Sequence, residues 1–203
     1  MTIVYRLGNK LYLNITNACP CDCVFCIRNS FDGVGDAASL WLEKEPTLDE
    51  IKTALDANSF DGIDETVFCG YGEPMERADV VIAISQYIKN FSSLYKKPAP
   101  PVRINTNGLA FLMHPGFDVS RLAVVDSVSI SLNADDSAEY QRLTRSRFGE
   151  MAFDSMLDFA RQAKAYTSVV FSVVSGTLTD ERLENCRRIA KEIGVPLRVR
   201  GRE

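Results

Sequence analysis

One histidine and one tryptophan are all that the 203 residues provide of those two types, and other absences narrow the protein further. No apolar run approaches the ~18 residues of a membrane-spanning helix, so a helical membrane protein is not expected. The opening stretch Met1-Thr2-Ile3-Val4-Tyr5-Arg6 has no apolar segment of the kind a secretion signal carries. A cytoplasmic location with reduced thiols is therefore the expectation. Net charge is −4 and the isoelectric point about 5.2, so a global basic footprint for nucleic acid is missing. Neither low-complexity tracts nor internal repeats interrupt the chain. What remains is a chain with 46% hydrophobic residues, long enough to bury a substantial core as a single domain over 1–203. The lone His114 lies in the loop text Met113-His114-Pro115-Gly116 and reads as structural.

Cysteine is the exception to this scarcity. Four of the six cysteines fall within Cys19-Pro20-Cys21-Asp22-Cys23-Val24-Phe25-Cys26. Cys19, Cys23 and Cys26 are spaced Cys-x-x-x-Cys-x-x-Cys, which no regular helix or strand brings to one point but a loop can wrap around one metal centre. A 4Fe–4S cluster normally takes four thiolates; three leave one iron without a protein ligand, and an open coordination position is where chemistry happens. Zinc is the competing metal, yet ordinary zinc sites pair two Cys-x-x-Cys knuckles a dozen or more residues apart. Neither Cys69 nor Cys186 belongs to a second knuckle. Cys21 breaks the spacing if it displaces Cys19 or Cys23, and reads as a spectator. Cys186 shares an apolar stripe with Leu183, Ile189 and Ile193 and reads as core. For Cys69 two readings stay open, a buried strand thiol or a hydrogen donor facing a cavity.

The rest of the chain alternates strands and helices. Gly8-Asn9 predicts a tight hairpin within residues 5–11, followed by a strand over 11–17 that feeds the cysteine loop. Thr47-Leu48-Asp49-Glu50 behind Pro46 is a capping box, and Leu48, Ile51 and Leu55 continue it as an amphipathic helix. Further strands are expected at 66–69, 102–106, 127–132, 168–174 and 197–200. The helix before 102 carries Val80, Val81, Ile84, Ile88 and Phe91, and the Pro98-Ala99-Pro100-Pro101 run ends that connection. The later helices carry Phe153, Met156, Leu157, Ala160 and Ala163, then 179–194 with Asp180 and Glu181 at its N-terminal dipole and Gly194 at its end. Such alternation predicts a parallel sheet, and six units in this length fit a partial (β/α)6 TIM-like barrel with an N-terminal β-hairpin.

The strands themselves are unusual. Ser127, Ser129 and Ser131 alternate with Val128, Ile130 and Leu132; Arg103 and Asn105 alternate with Val102 and Ile104; Tyr12, Asn14 and Thr16 alternate with Leu11, Leu13 and Ile15. A parallel strand covered on both faces reads as a continuous apolar run, so the polar set, with Asn107 and Asn133 in phase, predicts a polar interior that holds water or a polar ligand. An antiparallel sheet with one wet face is the alternative. Gly70-Tyr71-Gly72-Glu73-Pro74 follows one strand and Thr106-Asn107-Gly108 ends the next.

The cysteine spacing, with aromatic Phe25 before the last cysteine, resembles the signature of the radical S-adenosylmethionine (radical SAM) superfamily. Leu11-Tyr12-Leu13-Asn14-Ile15-Thr16-Asn17 and Ile27-Arg28-Asn29 around it are similar to the TatD-associated branch. The resemblance implies that Cys19, Cys23 and Cys26 hold a 4Fe–4S cluster whose fourth iron is chelated by S-adenosylmethionine. It further implies that an electron from a reduced flavodoxin or ferredoxin yields a 5′-deoxyadenosyl radical for hydrogen abstraction. Gly70, Tyr71, Gly72 and Glu73 stand where a Gly-Gly-Glu-Pro stretch presents carbonyls to the methionyl ammonium, Tyr71 replacing the first glycine. Asn105, Asn107, Ser131 and Asn133 are candidates for ribose and carboxylate contacts, without an assignment of which makes which. Arg145 is read as a carboxylate partner or a solvated helix charge, and Arg198 and Arg200 as contacts to an anionic substrate or as a wet barrel edge. A Gly-x-Ile-x-Gly-x-x-Glu pattern is not recognisable around residues 173–177. No cysteine after Cys186 provides an auxiliary cluster, so a minimal barrel open to a large substrate such as a protein or RNA, or to a partner such as a TatD-type hydrolase, is expected. An iron–sulfur protein that never cleaves the cofactor, a zinc module and a glycyl-radical activase are the other readings.

Overall fold

A computed structural model describes residues 1–95 and 99–201, with the side chains of 91–95 left aside; Pro98 and the Phe91 side chain of the predicted stripe lie outside these residues. Seven strands form one sheet in the order β1-β2-β3-β4-β5-β6-β7. β1 (Val4–Leu7) and β2 (Lys10–Leu13) are the predicted hairpin, with Gly8 at φ 59°, a conformation glycine adopts without strain. β2 then pairs in parallel with β3 (Glu65–Phe68), and β4 (Val102–Thr106), β5 (Ser127–Ser131), β6 (Ser168–Val174) and β7 (Leu197–Arg200) continue the parallel series. Among the described residues β1 and β7 do not pair, so the barrel is open. This is the expected partial barrel with its N-terminal hairpin.

The helices form for the reasons the sequence suggests. α1 (Leu48–Asp56) starts on the capping box: Glu50 N donates to Thr47 Oγ1 at 3.2 Å, and Thr47 N donates to Glu50 Oε2 at 2.8 Å. α2 (Ala78–Tyr95) connects β3 to β4. Between β4 and β5 there is no full helix but the one-turn α3 (Ala110–Met113) and a 3₁₀ segment, Val119–Val124, both too short for an apolar stripe to announce. α4 (Ser137–Thr144) and α5 (Met151–Ala163) together cross from β5 to β6. α6 (Asp180–Ile193) begins at N-cap Thr179 and ends at Gly194 in the left-handed region, φ 77°.

One face of the sheet is mostly apolar, Thr66 and Thr106 being its buried polar residues. Leu13, Ile104, Val128 and Ile130 join Ile84, Ile88, Met156 and Ala160 in one buried cluster. Burial of aliphatic side chains at roughly 25 cal/mol per Å² drives this packing. Alternation therefore turns Glu65, Val67, Cys69, Arg103, Asn105, Ser127, Ser129, Ser131, Ser172, Arg198 and Arg200 to the concave face. The polar interior is real, and the sheet is parallel beyond the hairpin.

Two details differ from expectation. The predicted strand over 11–17 stops at Leu13. Asn14 N still donates to Ile3 O at 2.8 Å, and beyond it the side chains tie the chain to the segment after the cysteines, Asn14 Nδ2 donating to Leu40 O and Asn17 Nδ2 to Leu42 O, both at 2.7 Å. The segment that follows the cysteines is not a plain connection either. Leu40 packs with Tyr5 and Tyr71 beside Tyr12, Val34 and Ala37, walling the concave face at β1 and β2. Asn14, fully buried, serves that wall, so part of the predicted polar interior is scaffold.

Candidate cofactor site at the C-terminal end of the sheet

β2 delivers the chain to the cysteine loop, β3 to Gly70–Pro74, β4 to Asn107 and β5 to Asn133, all at the sheet's C-terminal end, where barrel loops gather for chemistry. The cysteine loop is anchored from its backbone. Asp22 N donates to Thr144 O and Val24 N to Leu143 O, both at 2.9 Å, and Arg147 N donates to Pro20 O at 2.9 Å. Arg28 Nη2 donates to Cys21 O at 3.3 Å. All six cysteines are free; Cys19, Cys23 and Cys26 are half-buried and Cys21 is buried. Phe25 packs against the core from the same loop.

The thiols influence one another. A hydrogen bond from Cys21 holds the Cys19 thiol below its ordinary value, and the same bond, with a second to Cys23 and with burial, pushes Cys21 well up. Burial raises Cys26. Among the described residues no three His, Cys, Asp or Glu side chains meet at one ion-sized point. Three half-buried soft sulfurs on one loop, with the buried Cys21 thiol hydrogen-bonded to Cys19 and Cys23, are the donor type that iron–sulfur centres take.

The glycine turn is pressed onto this loop. A Cβ at Gly72 would lie 2.3 Å from Thr16 O and 2.6 Å from Ala18 O, and one at Gly70 would lie 2.0 Å from Asn14 Oδ1. Only glycine permits that approach. Glu73 N donates to Ala18 O at 2.8 Å. The Glu73 side chain, by contrast, turns inward: it accepts from Thr106 Oγ1 at 2.6 Å, Asn107 N at 2.7 Å and Met75 N at 3.0 Å. Burial pushes its carboxyl up to about 7 against those three donors, which pull it down. It ties the β3 loop to the β4 loop.

Tyr71, where the related motif carries glycine, is 3% exposed. Its hydroxyl donates to Phe31 O and its ring meets Trp41 edge-on at 5.1 Å, so it holds the 31–42 segment over the site. Asn107 accepts from Leu109 N at 3.0 Å and directs Nδ2 toward Cys21 Sγ at 3.9 Å. Asn105 is half-buried, and its Oδ1 has no partner among the described residues. Ser131 ends β5 half-buried. Asn133 adopts φ 52°, a region asparagine tolerates, and its Oδ1 accepts from Val174 N at 3.3 Å, bracing β5 on β6.

The remaining candidates sort clearly. His114 Nε2 bonds Met75 O at 2.7 Å and is structural. Cys186 is fully buried in the core. Arg145 finds its carboxylate in Asp22, at 3.6 Å on the exposed side of the cysteine loop. Cys69 lies on the concave face, its thiol raised by burial against a hydrogen bond from Asn105 and the charges of Arg200 and Arg103. Sequence reasoning missed the 31–45 wall and Tyr140, fully buried beneath the cysteines; neither carries a local pattern.

Comparison with known proteins agrees with this geometry. The profile of the Radical SAM superfamily matches residues 13–190. SuiB of Streptococcus suis bound to precursor peptide SuiA superposes with a TM-score of 0.71 at 16% identity, covering 98% of this chain and 40% of SuiB. TYW1 with a lysine–pyruvate adduct gives 0.61 at 16% identity, covering 95% of this chain and 64% of that one. The methyltransferase TsrM from Kitasatospora setae, with cobalamin and a 4Fe–4S cluster bound, gives 0.54 at 10% identity, covering 90% and 32%. The chain thus spans less than two thirds of the length of these structures. No curated protein matches at the level of sequence.

Proposed function

Because the chain belongs to the radical SAM superfamily, with a 4Fe–4S cluster and S-adenosylmethionine as its cofactors, we propose that it is a radical SAM enzyme. One observation carries the reading: three free thiols share one loop, and that loop is hydrogen-bonded to the glycine turn through Glu73 N and reached by Asn107. When bound, the cofactors supply reductive cleavage of S-adenosylmethionine to methionine and a 5′-deoxyadenosyl radical that takes a hydrogen atom from the substrate.

In this proposal Cys19, Cys23 and Cys26 hold three irons as thiolates, and Cys21 is not a ligand. The backbone of Gly70, Tyr71, Gly72 and Glu73 accepts from the methionyl ammonium, since an amine donor needs acceptors at close approach. Asn105, Asn107, Ser131 and Asn133 supply amide and hydroxyl groups to the ribose and carboxylate, and Phe25 packs beside the cluster. The wall of Leu40, Trp41 and Tyr71 keeps water from one side.

Residues 1–203 then act as one radical SAM core domain in the cytoplasm, with a reduced flavodoxin or ferredoxin as electron donor. The described residues contain no helix long and apolar enough to cross a membrane, in keeping with that location. An association with a TatD-type hydrolase and a macromolecular substrate belong to the same reading; the peptide bound in the SuiB structure is a precedent for the second. The test incubates reduced, reconstituted protein with S-adenosylmethionine and measures 5′-deoxyadenosine by mass spectrometry. Product well above a Cys23→Ala control supports the enzyme; output equal to that control overturns it in favour of an electron-transfer protein.

A further inference from the structure

Below the cofactor loops, the concave face carries a charge balance the chain as a whole does not. Among the described strand residues Lys10, Arg103, Arg198 and Arg200 face it and Glu65 supplies the one carboxylate, in a protein of net charge −4. Glu65 Oε2 is shared: Lys10 Nζ lies at 2.8 Å and Arg103 Nη2 at 3.0 Å. Arg103 is only 6% exposed, and its Nε has no hydrogen-bond partner among the described residues. Two residues along the same face of β4, Asn105 Oδ1 is also buried without a partner. On that face Cys69, which follows Phe68 in the β3–β4 register, stands beside Asn105, and Arg200 on β7 lies opposite Val174. Arg103 and Arg200 both act electrostatically on the Cys69 thiol.

A buried donor or acceptor left unpaired costs about 1–3 kcal/mol, more for a charged group, and native interiors rarely leave two such atoms side by side. Here one orphan is a cationic N–H and the other a carbonyl oxygen. The complementary ligand has an anionic group for the first and an N–H or O–H for the second.

We propose that the concave face of the open barrel carries an anion site that orients the substrate, Arg103 and Arg200 taking a carboxylate or phosphate and Asn105 Oδ1 accepting from an adjacent N–H or O–H. This rests on the preceding reading in calling the ligand the substrate, and it moves Asn105 from the cofactor's contacts to the substrate's. The arginines fix the anionic end, and Asn105 selects for a donor beside it.

The test measures binding of inorganic phosphate, acetate and N-acetylglycine to anaerobic, cluster-loaded protein by calorimetry, with and without S-adenosylmethionine. Wild type binds at least one anion, and binds N-acetylglycine more tightly than acetate. Arg200→Gln and Arg103→Lys each weaken binding about tenfold, the loss of one charge-assisted hydrogen bond. Arg103→Lys keeps the positive charge for Glu65 and removes only the fork, and Arg200 is exposed, so both variants fold. Asn105→Ala abolishes the preference for N-acetylglycine over acetate. Whichever of phosphate or carboxylate binds more tightly names the head group, and either supports the site. Three results overturn it: no binding of any probe, binding unchanged in both arginine variants, or complete displacement by S-adenosylmethionine, which makes it the cofactor's own subsite. None of these needs radical chemistry, so absent 5′-deoxyadenosine with intact anion binding refutes the proposed reaction and leaves the site standing.

Discussion

Glu73→Gln is the most informative single change, because it separates burial from hydrogen bonding at the joint between two site loops. In the folded chain the Glu73 carboxyl is raised from 4.5 to about 7, burial outweighing its three donors. A raised acid binds more protons folded than unfolded, so its contribution is complete below about pH 4.5 and is lost as pH rises through about 7. At ~1.4 kcal/mol per unit, that shift amounts to about 3 kcal/mol over the window. Gln removes the titration and keeps Oε1 for Thr106 and Met75, but turns an amide toward Asn107 N, which donates to Oε2 at 2.7 Å. That donor-to-donor contact costs about 1–3 kcal/mol. The assay is urea unfolding of the full chain, without cluster and under reductant, from pH 4 to 8. The stability of wild type relative to the variant should fall as pH rises, by about 3 kcal/mol in total. Parallel pH profiles would refute the assignment of a raised carboxyl to Glu73.

Gly72→Ala places a methyl against Thr16 O and Ala18 O and should cost about 1–3 kcal/mol of stability by overpacking, with weaker S-adenosylmethionine binding in dialysis. Cys21→Ala should keep the iron and sulfide content of wild type after reconstitution, whereas Cys19→Ala, Cys23→Ala and Cys26→Ala each lose most of it; a Cys21→Ala protein without iron makes Cys21 a ligand. Tyr71→Phe removes the hydroxyl that donates to Phe31 O. It should cost about 1 kcal/mol and speed hydrogen exchange across residues 31–42; unchanged exchange there would show that the wall does not depend on Tyr71.

Much of this architecture was legible because its signals are local. Thr47 and Glu50 announced α1, Gly8-Asn9 the hairpin, and alternation of serine with valine and isoleucine at 127–131 the wet concave face. The cysteine spacing marked its loop without any fold. What could not be read was settled by contacts distant in sequence. Asn14 belongs to the predicted polar face, yet its amide is committed to Leu40 O, 26 residues on. Tyr71 looked like a flaw in a glycine motif and is the clamp for a wall closed from residue 31. Glu73 pointed to the cofactor by motif, while its side chain braces the next loop. The 110–124 connection escaped because one turn of helix has no period to detect.

If three thiolates of one loop hold the cluster, one iron corner stays open to S-adenosylmethionine. Iron analysis and EPR of anaerobically reconstituted, dithionite-reduced protein test it most directly. About four irons per chain are expected, with a reduced-cluster signal that changes shape when S-adenosylmethionine is added. Bound zinc in place of iron, or a spectrum indifferent to S-adenosylmethionine, would contradict it.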